Sequence, residues 1–250
     1  MQYADDVKIY LEITQSEDVN KVQDVINCLV DWSKKWRLPL SLGKTYHLRI
    51  GYSNLLGSYN NDSVEVPTVN SVTDLGFHYD QKLDFSLHYT KMCAKAHMRT
   101  FQIFKALSTT DQTLLIKAYK IYVRPLVESG STVFSPCKKK DIAKIEKVQN
   151  SFTRTIFIRN GSFSYPGIPR AIIRNRYFDI PSLESRRRFF DVCMVYKILH
   201  EWSSEKAKLF FSIVTSITRG GEFKIFFTEE RELLSELEVS LFERVRHTSI

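Results

Sequence analysis

The sequence contains no apolar run near the roughly 20 residues that a membrane-spanning helix requires. Its N-terminus carries Asp5 and Asp6 where a secretory leader would place basic residues and then an apolar block. Both absences lead to the expectation of a soluble, intracellular protein with no membrane partner, nuclear residence being left open. Cysteine is sparse: Cys28, Cys93, Cys137 and Cys193 stand tens of residues apart. That spacing fits neither a zinc ribbon nor a compact disulfide framework, so reduced and mostly buried thiols are expected. His47, His78, His88, His97, His200 and His247 show no paired spacing with cysteine or carboxylate that suggests zinc. No internal repeat is present.

With 250 residues and 43% hydrophobic content, the chain has enough apolar side chains for one large domain or two small ones. The net charge of +8 conceals a sharp division. Residues 1–85 carry 8 Lys and Arg against 12 Asp and Glu, residues 86–221 carry 24 against 9, and residues 222–250 carry 4 against 7. A middle block with that excess concentrates polyanions around itself, and nucleic acid is the commonest such partner. A solvated basic surface that merely keeps the chain soluble is the alternative.

Patterning gives the organisation. Val7, Ile9, Leu11 and Ile13 alternate as a strand with one apolar face. A helix is expected from about Ser16 to Trp36, with Ser16 as N-cap and Glu17 and Asp18 where the helix dipole favours acids. Val19, Val22, Ile26, Leu29 and Val30 form its apolar side, continued by Trp32 and Trp36, and Pro39 marks its end. Residues 46–51 alternate as a short strand and residues 53–62 read as a surface loop. Helices are expected at about 86–107, 111–127, 140–158 and 182–202, and then at 205–217 and 229–246. In the third of these, Asp141 is the expected cap and Ile142, Ile145, Val148, Phe152 and Ile156 the buried stripe, leaving Lys144, Lys147 and Arg154 outside. Residues 159–181 read as loop.

The chemistry begins with Tyr3-Ala4-Asp5-Asp6 at the mouth of the first strand. Adjacent aspartates on a tight turn repel one another unless a cation lies between them, which suits such pairs to holding Mg²⁺ for phosphoryl transfer. Downstream come Leu38-Pro39-Leu40-Ser41-Leu42-Gly43-Lys44-Thr45, then Val72-Thr73-Asp74-Leu75-Gly76-Phe77 with Asp80, Leu83, Phe85 and His88, then Tyr122-Val123-Arg124-Pro125-Leu126. In this order the blocks resemble reverse transcriptases of non-LTR (LINE-type) retrotransposons, and the likeness extends to about Leu199.

The resemblance implies an α+β chain: a truncated polymerase palm of short antiparallel strands plus a helix, followed by a mostly helical thumb and C-terminal region. The domains would be a palm remnant over 1–84, a thumb-like helical region over 85–158, a linker over 159–181 and a C-terminal helical region over 182–250. It implies an RNA-directed DNA polymerase in which Asp5 and Asp6 hold Mg²⁺ and Lys44 lies near the nucleotide phosphates. Leu75 and Gly76 would form the hairpin holding the primer end. The fingers, the first palm strand and its aspartate are expected upstream in that family, so synthesis by this chain alone is not expected. Asp62, Asp74, Asp80 and Asp84 are poor replacements for the third ligand.

Two basic stripes complete the candidates. Lys91, Lys95 and Arg99 fall at i, i+4 and i+8 of one expected helix, and Lys117, Lys120 and Arg124 at i, i+3 and i+7 of the next. Each trio lies along one face and can follow the phosphates of an RNA template, a DNA primer or their duplex. The runs Lys138-Lys139-Lys140 and Arg186-Arg187-Arg188 are further candidates for phosphate contact. Two rival readings stand beside the fragment: a basic helical RNA-binding or scaffold module independent of the metal site, and the second half of an active polymerase whose reading frame starts upstream.

Overall fold

A computed structural model describes residues 2–3, 6–51, 57–62, 64–161, 167–200, 211–215 and 223–227. The chain is α+β. It divides into two compact units, Met1–His88 and Tyr89–Ile250.

In the first unit, β1 (Gln2–Tyr3) pairs antiparallel with β2 (Asp6–Val7). The alternation through Ile13 does not become a longer strand, and residues 8–14 form no regular structure. Alternating apolar residues hold a strand only where a neighbour accepts their backbone hydrogen bonds, and among the described residues none does so here. Val7, Ile9 and Leu11 are consequently exposed. The segment is tethered by Lys8, whose Nζ lies 2.6 Å from Asp74 Oδ2.

Helix α1 spans Ser16–Trp36. Its N-cap is Gln15, one residue before the expected Ser16, because Asp18 reaches back to accept the N–H groups of Thr14 and Gln15 at 3.1 and 3.0 Å. Lys21 Nζ lies 2.7 Å from the same carboxylate, and these donors hold Asp18 well below the ordinary carboxylate range. Arg37, in the left-handed conformation at φ 54°, ends the helix before Pro39. Val30 and Ser33 are buried, whereas Trp32 and Trp36, expected on the covered side, are 47% and 61% exposed. At 100° per residue they lie a third of a turn or more from Val30.

Four short strands and one hairpin fill out this unit among the described residues. β3 (His47–Leu48) pairs in parallel with β6 (Thr68–Val69), and β4 (Asn60–Asn61) antiparallel with β5 (Val64–Glu65). Only two residues of the expected 46–51 strand are therefore paired. Within the expected surface loop, Tyr59 and Asn61 are buried. β7 (Ser71–Asp74) and β8 (Phe77–Asp80) form a hairpin closed by Leu75 and Gly76.

The second unit is built on long helices. α2 (Ser86–Ala106) carries Tyr89, Cys93, Ala96 and Ile103 on its buried side. α3 (Gln112–Ala118) is capped by Asp111, whose Oδ1 accepts the Thr113 N–H at 2.8 Å. A π turn over Tyr119–Val123 separates it from α4 (Arg124–Glu128). α5 (Lys139–Arg159) buries Ile145, Val148, Phe152 and Ile156 as the spacing requires. Its N-cap is Lys138, so Asp141 falls inside the first turn, almost fully buried.

The 159–181 segment, expected as loop, contains α6 (Ala171–Tyr177). It is anchored by the buried Arg174, which donates to Thr153 Oγ1 and Asn150 O at 3.1 Å each and to Pro169 O. α7 spans Leu183–His200. Beyond it, β9 (Phe211–Thr215) and β10 (Phe223–Phe227) pair antiparallel; the helix expected over 205–217 is thus overturned at 211–215, the rest of that stretch lying outside the described residues. Ile213, Val214 and Thr215 among β9's five residues favour a strand, since β-branched side chains lose rotamer freedom in a helix. The helix expected over 229–246 lies outside the described residues. No helix among the described residues is long and apolar enough to cross a membrane.

Cys93 is the buried thiol, pushed up to about 11 by its desolvation, whereas Cys28 and Cys137 are exposed. The expectation of mostly buried cysteines therefore fails for those two.

Candidate nucleic-acid interface

α2 and α5 lie side by side and run parallel. Lys144 Nζ donates to Thr90 Oγ1 at 2.8 Å, His97 Nδ1 meets Ser151 Oγ at 3.5 Å, and the rings of Phe104 and Phe152 are 4.8 Å apart. At the far end Arg159 donates to Phe104 O and Leu107 O and lies over the Phe104 ring. Both helices therefore advance in the same direction along the contact.

The outer side of this pair has an unusual charge balance. α2 contains no Asp or Glu. Lys91, Lys95, Arg99 and Lys105 are exposed on it, with Met98 and Phe101 exposed among them. α5 adds exposed Lys140, Lys147 and Arg154. Its two carboxylates are engaged inward: Asp141 is buried, and Glu146 Oε1 accepts the Glu184 N–H at 2.6 Å. Neither helix offers an exposed carboxylate to offset the cations. The half-buried His97 is held below its ordinary range by desolvation first and then by the Lys147 ammonium. Lys105 was not among the sequence candidates, although it continues the Lys91 face at i+14.

The second stripe does not hold together in the same way. Lys117 is exposed, but the π turn inserts about one extra residue and swings Arg124 roughly 100° from the face that α-helical spacing assigns it. Arg124 Nε instead lies 3.7 Å from Glu128. The Arg186-Arg187-Arg188 run is also committed inside the unit. Arg186 binds Glu128, Arg187 is buried, and Arg188 NH2 lies 2.8 Å from Glu184. Charge that looked available in the sequence is thus partly structural, while Lys138, Lys139 and Lys140 are exposed at the start of α5.

Of the polymerase-like residues, Asp6 is exposed in β2 opposite Tyr3, and Asp5 lies outside the described residues. Lys44 is exposed at the end of a 3-10 turn, Leu42–Lys44. No hydrogen bond or ion pair among the described residues joins Asp6 to Lys44, and no three His, Cys, Asp or Glu among them form a metal-ligating group. The four acids considered as substitutes have other work. Asp62 pairs with Lys34 and Asp74 with Lys8, Asp80 accepts the Lys82 and Asp84 N–H groups, and Asp84 accepts that of Ser86. Leu75 and Gly76 have φ values of 48° and 87°, which defines a type I′ hairpin turn. A Cβ on Gly76 would meet nothing within 4 Å, so the glycine answers a backbone need there.

No family model and no solved structure matches the chain. A Caenorhabditis elegans protein named "Uncharacterized protein B0403.1" is 30% identical over 90 residues, or 36% of this chain. The match covers 46% of that protein, so the chain spans about half the length of the curated relative it matches.

Proposed function

We propose that the chain binds RNA, or an RNA–DNA duplex, through the phosphate backbone, using the outer face of α2 and α5. The observation that carries this reading is the set of exposed cations on two packed helices that present no exposed carboxylate. Such a face gives salt-sensitive, sequence-independent affinity, and Phe101 offers a ring on which an unpaired base can stack.

The fuller reading is that this is part of a non-LTR reverse transcriptase, with a palm remnant, a thumb and Mg²⁺ held by Asp5 and Asp6. Its support is the order of the sequence blocks. Mg²⁺ would supply charge stabilisation for phosphoryl transfer, and two carboxylates are fewer than that chemistry needs. The reading expects binding without synthesis by these 250 residues.

Titrating a labelled oligoribonucleotide over a salt series tests it. Converting Lys91, Lys95 and Arg99 together to Gln is expected to flatten the slope of log K against log salt by about 2 to 3, at roughly 0.7–0.9 per phosphate contact. An unchanged slope refutes the interface. Primer extension by the purified chain that Asp5→Ala abolishes would refute the claim of binding without synthesis.

A further inference from the structure

We infer, on the basis of that nucleic-acid reading, that the groove between α2 and α5 takes single-stranded RNA in preference to a duplex, and that Phe101 sets this choice by stacking on an unpaired base. The two helices meet through Thr90 with Lys144 and again through His97 with Ser151, and both pairs have the same offset of 54 residues. A constant offset fixes the register, in which Phe101 stands level with Thr155 and one residue from the level of Arg154. At 100° per residue, Phe101 lies about 20° from Thr90 and about 40° from His97, the residues by which α2 touches α5. Lys91 and Lys95 lie about 80° and 120° further round. The Phe101 ring therefore stands at the lip of the groove, while those lysines occupy the crest of α2. It is 66% exposed and, among the described residues, meets no other ring or cation. A phosphate grip needs only charge, so this ring is the part of the face that backbone binding leaves unexplained.

Charge and width select the occupant. Cations flank the ring on both helices, Lys105 one turn further along α2 and Lys147 and Arg154 on α5, all exposed, and neither helix carries an exposed carboxylate. An apolar protein segment would cover Phe101 only by drawing water from these cations. A nucleic-acid strand brings a π face for the ring and phosphates for the cations, one after the other along its length. The axes of packed helices lie roughly 8–10 Å apart, so the groove admits one strand and not two. The bases of a duplex are in any case stacked on one another and offer the ring no face, whereas those of a single strand can be splayed out onto it.

Fluorescence anisotropy of the full chain tests this, with a labelled single-stranded RNA of about 12 nucleotides and with the blunt RNA–DNA duplex containing the same strand. The single strand is expected to bind about tenfold tighter. Phe101→Leu, at an exposed site, is expected to weaken single-strand binding about tenfold while leaving duplex binding and the salt slope unchanged, and Phe101→Trp to preserve it. Arg154→Gln is expected to lower the single-strand salt slope by about 0.7. Equal affinity for the two forms, or a Phe101→Leu effect that is absent or shared by the duplex, overturns the preference. The backbone reading survives that result if the Lys91, Lys95 and Arg99 substitutions still flatten the slope. A slope unmoved by Arg154→Gln overturns the groove as the path of the strand, and failure to bind either form overturns both readings. So does, for the groove alone, an RNA-free dimer in sedimentation that Phe101→Leu disperses, since a second copy would then cover the ring.

Discussion

Leu75 occupies a position that β-hairpin chemistry reserves for Gly, Asn or Asp. Its φ of 48° brings the Cβ toward the following carbonyl, at a cost of about 1 kcal/mol or more for a branched side chain. Leu75→Gly or Leu75→Asn is therefore expected to raise the stability of the first unit by about 1 kcal/mol, read as the shift of a urea midpoint at unchanged m-value. A loss of stability would mean that the exposed leucine makes contacts worth more than its strain. Burial poses the opposite problem at Gln149 and Tyr119, both fully buried. There the tyrosine hydroxyl donates to Gln149 Oε1 at 2.8 Å, and Gln149 Nε2 donates to Pro181 O at 3.1 Å. Each polar group placed among hydrocarbon has found the partner it requires. Desolvation raises the Tyr119 hydroxyl pKa strongly, so it stays a donor throughout the accessible pH range.

At the scale of the element, α1 shows how one carboxylate organises a helix start. The Asp18 carboxylate is favoured in the folded state by the Lys21 ammonium and by the Gln15 and Thr14 N–H groups, below its ordinary value of 3.8. The sign follows from linkage: a depressed acid contributes stability that is complete above its unfolded value and lost as pH falls through its folded value. The first turn of α1 is thus expected to lose amide-exchange protection as pH drops below about 4, and Asp18→Asn to remove that dependence. Equal profiles for the two proteins would refute the cap.

Helices with a clean apolar period were legible in the sequence. α1, α2, α5 and α7 lie close to their expected bounds, and α5 buries Ile145, Val148, Phe152 and Ile156 at the 3.6-residue period written in the chain. What escaped was set by distant residues. The strand expected through Ile13 has no neighbour to pair with among the described residues beyond Val7. α6 is held by Arg174 reaching back to Thr153 and Asn150, and the π turn after Ala118 has no local signature. The basic face was half legible: Lys91, Lys95 and Arg99 announced themselves by spacing, whereas Lys147 and Arg154 join them only because α5 lies parallel to α2.

For the molecule as a whole, charge is the dominant statement. Residues 86–221 carry a net +15 and the flanking segments −4 and −3. Much of the arginine is turned inward, with Arg159, Arg174 and Arg186 satisfied by carbonyls or by Glu128. The lysines remain outside to repel one another. In the absence of a polyanion, raising salt from about 10 mM to 150 mM shortens the screening length from about 30 to 8 Å. The thermal midpoint of the second unit is expected to rise over that range. A midpoint that falls would show that attractive pairs such as Arg188 with Glu184 outweigh the repulsion.

The parallel alignment of α2 with α5 also bears on the order in which the protein is made. Helices that run the same way cannot close through a tight local turn, and the intervening chain must be traversed before one meets the other. While the ribosome is still translating the residues after Ala106, the flank of α2 that will meet α5, with Thr90, His97 and Phe104, has no counterpart to rest on. Nascent chains stalled before Arg159 should therefore attract chaperones, and those a little longer should release them.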